Sequence, residues 1–383
     1  MKPRSWLYFV TILVSIVWST QLIAQDQPDK NLNKIMTKIG GIMVELFPLT
    51  FTDKTLTNFQ IRKVNRLAKE LQTLFRSAGP HIRRKSPTYQ LSYQLLSDYL
   101  NAIVNEDNPI SIAQVKSRLR SLSDFCISCH TQDDKFRTLF AGTSTISFDS
   151  ALANAEFNYA TRNYKTSHEY YKKHLLLSSK LSEAEILRTL FRIISIYTQI
   201  LNQPDQAIKA LEELEKQMRF STQVASYIQE AKKALTYLQK IITDDKLPKT
   251  FLELEDHANQ YLGGINARQG IIFATPQEEV ERMWLRGLLF RYLNENPSRD
   301  QIPYILYWLA LCDRSLGHGY DYTLADIYIK QCITLFPKHP VARLCFNEHK
   351  EYLKFFYTTP TEPVLPFEVN EELEKLERYL GSN

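Results

Sequence analysis

Between residues 31 and 125, apolar positions recur every three or four residues in four blocks, each closed by a breaker. The first runs from Asn31 to Phe47, with Leu32, Ile35, Met36, Ile39, Met43 and Leu46 on one face and Pro48 after its end. The second carries Leu56, Phe59, Val64, Leu67, Leu71, Leu74 and Phe75, with Asp53 as its cap and Ala78-Gly79-Pro80 as its stop. Ser86-Pro87 opens a third, with Leu91, Leu95, Leu96, Tyr99, Leu100 and Ile103 inward. Asn108-Pro109 opens a fourth, in which Ile112, Val115, Leu119, Leu122 and Phe125 lead to Cys126. Four amphipathic helices with short connections predict an antiparallel bundle.

A short linker, Thr143 to about Asp149, precedes a second region of paired helices. Arg162 to Tyr171 reads as a turn and a following helix. Asn202-Gln203-Pro204-Asp205-Gln206-Ala207 starts another helix with Leu211 and Leu214 inward, and Ser182 to Leu201 forms a long one. Phe251 to Leu293 holds a further pair. In Ala325 to Pro337, residues Ala325, Ile329 and Cys332 take small, large and small packing positions, and Pro337 ends the helix. This pattern resembles tetratricopeptide repeats. The resemblance implies a curved solenoid over residues 150–383, closed by a tail helix from Asn370 to Leu380 after the loop Pro360 to Pro366. The fold class expected is therefore all-α, a four-helix bundle followed by a helical-repeat solenoid.

Charge is spread unevenly. The 383 residues carry a net +5. From Gln25 to Ala141 there are 17 basic and 11 acidic residues, and from Gly142 onward 28 and 31. The basic first half suits an acidic docking partner. So mild an excess, without a clustered aromatic platform, gives no reason to expect nucleic-acid binding. Tyr159, Tyr164, Tyr170, Tyr171, Trp284, Tyr307, Trp308 and Tyr328 are expected to pack between repeats. Glu212-Glu213 and Asp244-Asp245 read as solvated pairs. His168, His174, His257, His318, His339 and His349 lack ligand spacing. No Ser-His-Asp set, phosphate-binding glycine loop or acid pair is present, so an enzyme is not expected.

The chemistry lies in Cys126-Ile127-Ser128-Cys129-His130. This C-x-x-C-H spacing is the attachment signature of haem c. Two thiols three residues apart can form thioethers to one porphyrin, and the next histidine reaches the iron. One covalent haem is expected, held by Cys126 and Cys129, with His130 as axial ligand. Zinc would need a second ligand pair, and a thioredoxin-like dithiol should follow a strand. Met1 to Ala24 reads as a secretory leader: Lys2 and Arg4 precede a charge-free apolar run from Trp6 to Trp18. Export to the periplasm suits haem attachment. The leader is expected to be cleaved; left uncleaved, it would anchor the chain. Cys312, Cys332 and Cys345 are expected to be buried free thiols on helices, although an exported chain can pair two of them.

Residues 25–142 resemble the cytochrome c-prime family. The haem sequence lies on the last of four helices, and the first helix contains Met36-Thr37-Lys38-Ile39-Gly40-Gly41-Ile42-Met43, similar to the family's Met-x-x-x-Gly-x-x-Met. The resemblance implies Met36 as the sixth iron ligand, as in low-spin members; high-spin members leave that face open. Leu32 stands where the family has a basic residue, and Phe136-Arg137 falls later than the family's aromatic-Arg pair. The function expected is one-electron transfer, with the repeats docking a protein partner such as a redox protein. Two alternatives are a haem-based sensor or scavenger of diatomic gases, and an assembly scaffold with a structural haem.

Overall fold

The computed structural model describes residues 30–52, 54–82, 111–122, 146–177, 181–263, 274–295, 297–316, 324–359 and 361–381, with several residues between 93 and 104. The protein is all-α; among the described residues there is no strand. In chain order the helices are α1 (Lys30–Thr50), α2 (Asn58–Ile82), α3 (Ile112–Arg120), α4 (Ala151–Ala160), α5 (Tyr164–Leu177), α6 (Glu183–Ser195), α7 (Pro204–Gln217), α8 (Thr222–Thr243), α9 (Phe251–Leu262), α10 (Pro276–Asn294), α11 (Ile302–Ser315), α12 (Ala325–Leu335), α13 (Pro340–Tyr357) and α14 (Phe367–Gly381). Helical residues also occur between 93 and 103.

Local chemistry fixes where these helices begin. Ser111 with Gln114, Ser182 with Glu185, Thr250 with Glu253 and Thr275 with Glu278 each form a reciprocal capping box. Each satisfies two backbone donors that a helix start would strand, and loss of such a cap costs about 1 kcal/mol. Pro204, Pro276 and Pro340 occupy first-turn positions where no amide hydrogen bond is lost.

Two prolines behave differently from expectation. Pro48 lies inside α1, which continues to Thr50. The Thr50 hydroxyl donates to the Leu46 and Phe47 carbonyls, and the Phe51 amide donates to Phe47, so the turn after Pro48 is tied down. Burial of Leu46, Phe47 and Phe51 holds it. Likewise α2 runs through Gly79-Pro80 to Ile82. Gly79 serves close approach rather than termination: a Cβ there would collide with the Tyr93 phenol, whose ring stacks on Phe75 at 5.7 Å. The start of α2 also differs. Thr57 and Gln60 exchange the capping bonds, while Asp53 lies outside the described residues. Phe59, expected inward, is 70% exposed in the first turn.

From α4 onward, helices pack mainly on their sequence neighbours. Leu211, Leu214, Ala325, Ile329 and Cys332 are fully buried, as their spacing requires. Of the eight expected packing aromatics, all but Tyr164 and Tyr170 are buried, and those two are partly so. The long helix from Ser182 is α6 continued by a π-helical turn, Ile196–Ile200. The wide turn lets the Gln199 carbonyl approach α10 at Gly287, where a Cβ would collide with it. Asn202, at φ +54°, then accepts a hydrogen bond from Trp284 Nε1 at 2.9 Å. The first helices join this stack without a break in the core. Phe47 packs edge-on against Phe157 of α4, with ring centroids 5.8 Å apart. The Ser150 hydroxyl donates to the Phe51 carbonyl at 3.3 Å.

The expectation of three free thiols is corrected in part. Cys332 on α12 and Cys345 on α13 form a disulfide, and only Cys312 is a buried free thiol among the described residues. Periodicity places each cysteine inward but does not say that α12 and α13 fold back to bring two together. Closing a loop of 13 residues' separation stabilises the fold by about 3 kcal/mol through the unfolded chain. Replacing both by alanine is expected to lower stability by that amount in equilibrium urea unfolding. A loss below about 1 kcal/mol would show that this bridge constrains little.

Candidate haem face and the seam beside it

Cys126, Cys129 and His130 lie outside the described residues, as do the leader and Phe136-Arg137. The structure does place Met36 and the helix that leads to the motif. On α1, Leu32, Ile39, Gly40, Met43 and Leu46 are buried, and Met36 is half-buried against the same core. Both methionines therefore lie on the inward side of α1.

Helix α3 is held against the end of α1. Val115, Leu119 and Leu122 are buried. Lys116 Nζ donates to the Thr52 carbonyl at 2.8 Å, and Arg120 Nε to the Thr50 carbonyl at 2.9 Å. These cations meet the carbonyl end of α1, where the helix dipole favours them. Lys116 and Arg120, one turn apart on α3, thus tie it to the chain at and just after the end of α1. The Tyr99 hydroxyl donates to the Arg118 carbonyl, adding a third hold on α3. Cys126 comes six residues after Arg120.

Arg120 also reaches helices α4 to α6. It lines a cleft with His174 of α5, Glu156 of α4, and Glu185, Arg188 and Arg192 of α6. Arg192 Nε donates to Glu156 Oε1 at 3.2 Å, and both side chains are at most 2% exposed. The Arg192 guanidinium also lies 4.8 Å from the centre of the Tyr159 ring. The Glu185 carboxyl is held below its ordinary range, first by hydrogen bonds from the Ser182 hydroxyl and backbone, with smaller help from His174 and Arg188. Sequence spacing gives no sign of this cluster beyond one oddity, Glu156 within the small apolar run Ala-Leu-Ala-Asn-Ala-Glu-Phe.

A second polar cluster fastens the tail. Arg314 Nη2 lies 3.1 Å from His349 Nδ1 and 3.1 Å from Asp326 Oδ1. A guanidinium has only donors, so Nδ1 accepts and Nε2 carries the hydrogen towards Glu372 Oε1, 3.4 Å away. Lys330 Nζ lies 2.6 Å from the same oxygen. The His349 hydrogen bond is the largest cause, with Lys330 next, lowering the Glu372 carboxyl from 4.5 to about 2. A depressed carboxylate stabilises the folded state above its unfolded pKa, and that contribution disappears as pH falls from about 4.5 to about 2. Melting temperature should therefore fall across this window, and Glu372→Gln should remove part of the fall. An identical pH profile in the variant would exclude a latch at Glu372.

The remaining expectations are mixed. His168 and His174 are buried, and burial lowers the His168 pKa. Glu213 pairs with Lys172, and Asp245 with Lys249 at 2.7 Å, all at the surface or partly so. His318 lies outside the described residues. Among the described residues no group of three or more His, Cys, Asp or Glu is placed to hold a metal ion, and no helix is long and apolar enough to cross a membrane. The chain matches no family model, no curated protein and no solved structure.

Proposed function

We propose that the protein is an exported c-type cytochrome, a four-helix haem bundle fused to a tetratricopeptide-like solenoid that docks a protein partner. The observation that carries this reading is the Cys126-x-x-Cys129-His130 sequence downstream of a leader-like start. The disulfide between Cys332 and Cys345 is in keeping with an oxidising compartment.

The described residues fit a haem on the inward side of α1. Gly40 lies there and offers no side chain, and Met36 carries a thioether one turn away. Helix α3, tied to the end of α1, ends at Arg120, six residues before Cys126. Cys126 and Cys129 would hold the group covalently, and His130 and Met36 would ligate it. When bound, haem supplies a metal centre that gains and loses one electron. The chain's part is to hold its ligands, exclude water with Ile39, Met43 and Leu46, and present the repeats to a partner.

The experiment is haem staining after denaturing electrophoresis of the exported chain. Colour is expected at the mass of the protein, with complete loss in Cys126→Ala/Cys129→Ala. An unstained wild type, or a stained double variant, would overturn the assignment.

A further inference from the structure

Five aromatic rings form a row where several of the later helices begin or end. Phe251 opens α9, Tyr292 lies in the last turn of α10, Tyr304 and Trp308 lie in the first turns of α11, and His339 caps the start of α13. Phe251 is the hub. Its ring centroid is 6.0 Å from Tyr292, 5.8 Å from Tyr304 and 5.7 Å from Trp308, and Tyr304 stands 5.3 Å from His339. Trp308 is buried, while the other four rings are only half-buried. Rings left part-exposed side by side make an apolar strip with polar edges. His339 Nδ1 accepts from the Val341 amide at 3.3 Å, so Nε2 carries a hydrogen and is a donor. A strip of this kind suits a polyproline II segment, which is preformed and loses little entropy on binding.

The chain itself presents such a segment, Pro363-Val364-Leu365-Pro366, between α13 and α14. Leu365 packs against the core, while Pro363, Val364 and Pro366 are exposed, Val364 at 78%. The loop is pinned at both ends. The Thr359 and Glu362 amides each donate to the other's carbonyl, at 3.0 and 3.1 Å, and the Asn370 amide donates to the Pro366 carbonyl at 3.0 Å. In polyproline II form, prolines three apart share one side about 9 Å apart, so each can meet a different ring. The loop cannot reach the row of its own chain. His339 precedes α13 and the loop follows it, so 18 helical residues, about 27 Å, lie between them. Helix α14 keeps the loop at the far end, because it returns along α13: Glu372 meets His349, and Glu377 meets Arg343. We propose that the aromatic row binds the Pro363–Pro366 loop of a second copy of this chain, giving a reciprocal dimer. Exposed Glu362, directly before Pro363, can then meet exposed Lys338, directly before His339. This gives the repeats a partner without resting on haem, so the present test and haem staining succeed or fail independently.

The test is sedimentation equilibrium of the full chain, in which a monomer–dimer equilibrium is expected. Pro363→Ser/Val364→Ser in the exposed loop and Tyr304→Ala in the row should each weaken association about tenfold or more. Mixed together, these two variants should regain association, because the intact loop of one meets the intact row of the other. Lys338→Glu and Glu362→Lys, both at exposed positions, should each weaken the dimer, and the double variant should restore it. That pair decides the matter should Tyr304→Ala not fold. A peptide of residues 361–367 should dissociate the wild-type dimer, and the same peptide with Pro363→Ser and Pro366→Ser should not. A wild type that stays monomeric at its highest soluble concentration overturns the proposal; if that monomer binds the peptide, the row takes a proline segment from a different protein. A dimer that neither the loop variant nor Lys338→Glu weakens overturns it as well.

Discussion

Replacing Glu156 by leucine is expected to destabilise the protein by about 3–5 kcal/mol, at the upper end of what a single substitution does. The carboxylate sits on α4, a helix with eight of its ten residues buried, and its partner Arg192 is 2% exposed. Removing Glu156 leaves a guanidinium, which cannot shed its proton, buried beside the Tyr159 ring. That ring offers attraction to the cation, but too little to replace a carboxylate. Arg192→Met alone is also expected to destabilise the protein, since it removes the buried partner of Glu156. The double variant, Glu156→Leu with Arg192→Met, should recover much of the loss, since well-packed apolar replacements of buried pairs are often neutral. The comparison is a double-mutant cycle read by equilibrium urea unfolding. Additive single effects would show that the pair is not coupled, and the role assigned to it would fall.

That pair also marks where sequence reasoning reached its end. Helices in both halves are legible because one face of each meets the core, which prints a period of 3.6 on the sequence. Leu211 and Leu214, or Ala325 and Ile329, are buried for that reason. Helix α4 is buried nearly all round, so no stripe distinguishes an inward face. Pro48 and Pro80 read as stops because local propensity disfavours them inside helices, yet tertiary packing carries α1 and α2 past both. Phe59 lies in phase with its helix but in a first turn that projects beyond the core. Pairing of Cys332 with Cys345 depends on how two helices cross, which no spacing states. The haem reading of the C-x-x-C-H sequence rests on adjacent residues alone, and those residues lie outside the described ones. The seam cluster draws on helices α3 to α6 and could be recognised only once they were assembled.

Met36→Ala is expected to open the haem iron to carbon monoxide, while Met43→Ala is not. The two methionines are seven residues apart on the inward side of α1, so helix geometry alone gives them similar claims, and only the family resemblance favours Met36. Their surroundings separate them. Met43 is 5% exposed and packed in the core, where it fills space as methionine commonly does. Met36 is half-buried at the edge of that core, one turn from buried Gly40. A ligand needs a thioether that can turn towards the metal, and a side chain at the edge of the packing has that freedom. If Met36 ligates opposite His130, the oxidised protein should show a weak methionine-to-iron band in the far red. Met36→Ala should erase the band, convert the spectrum to high spin and allow carbon monoxide to bind the reduced form. Met43→Ala should keep the band yet lose about 2–5 kcal/mol of stability, the cost of a methionine-sized cavity. The two variants thus move different observables, one spectroscopic and one thermodynamic. A wild type that is already high-spin and binds carbon monoxide as readily as Met36→Ala would remove Met36 from the iron and favour a gas-binding role for the same face.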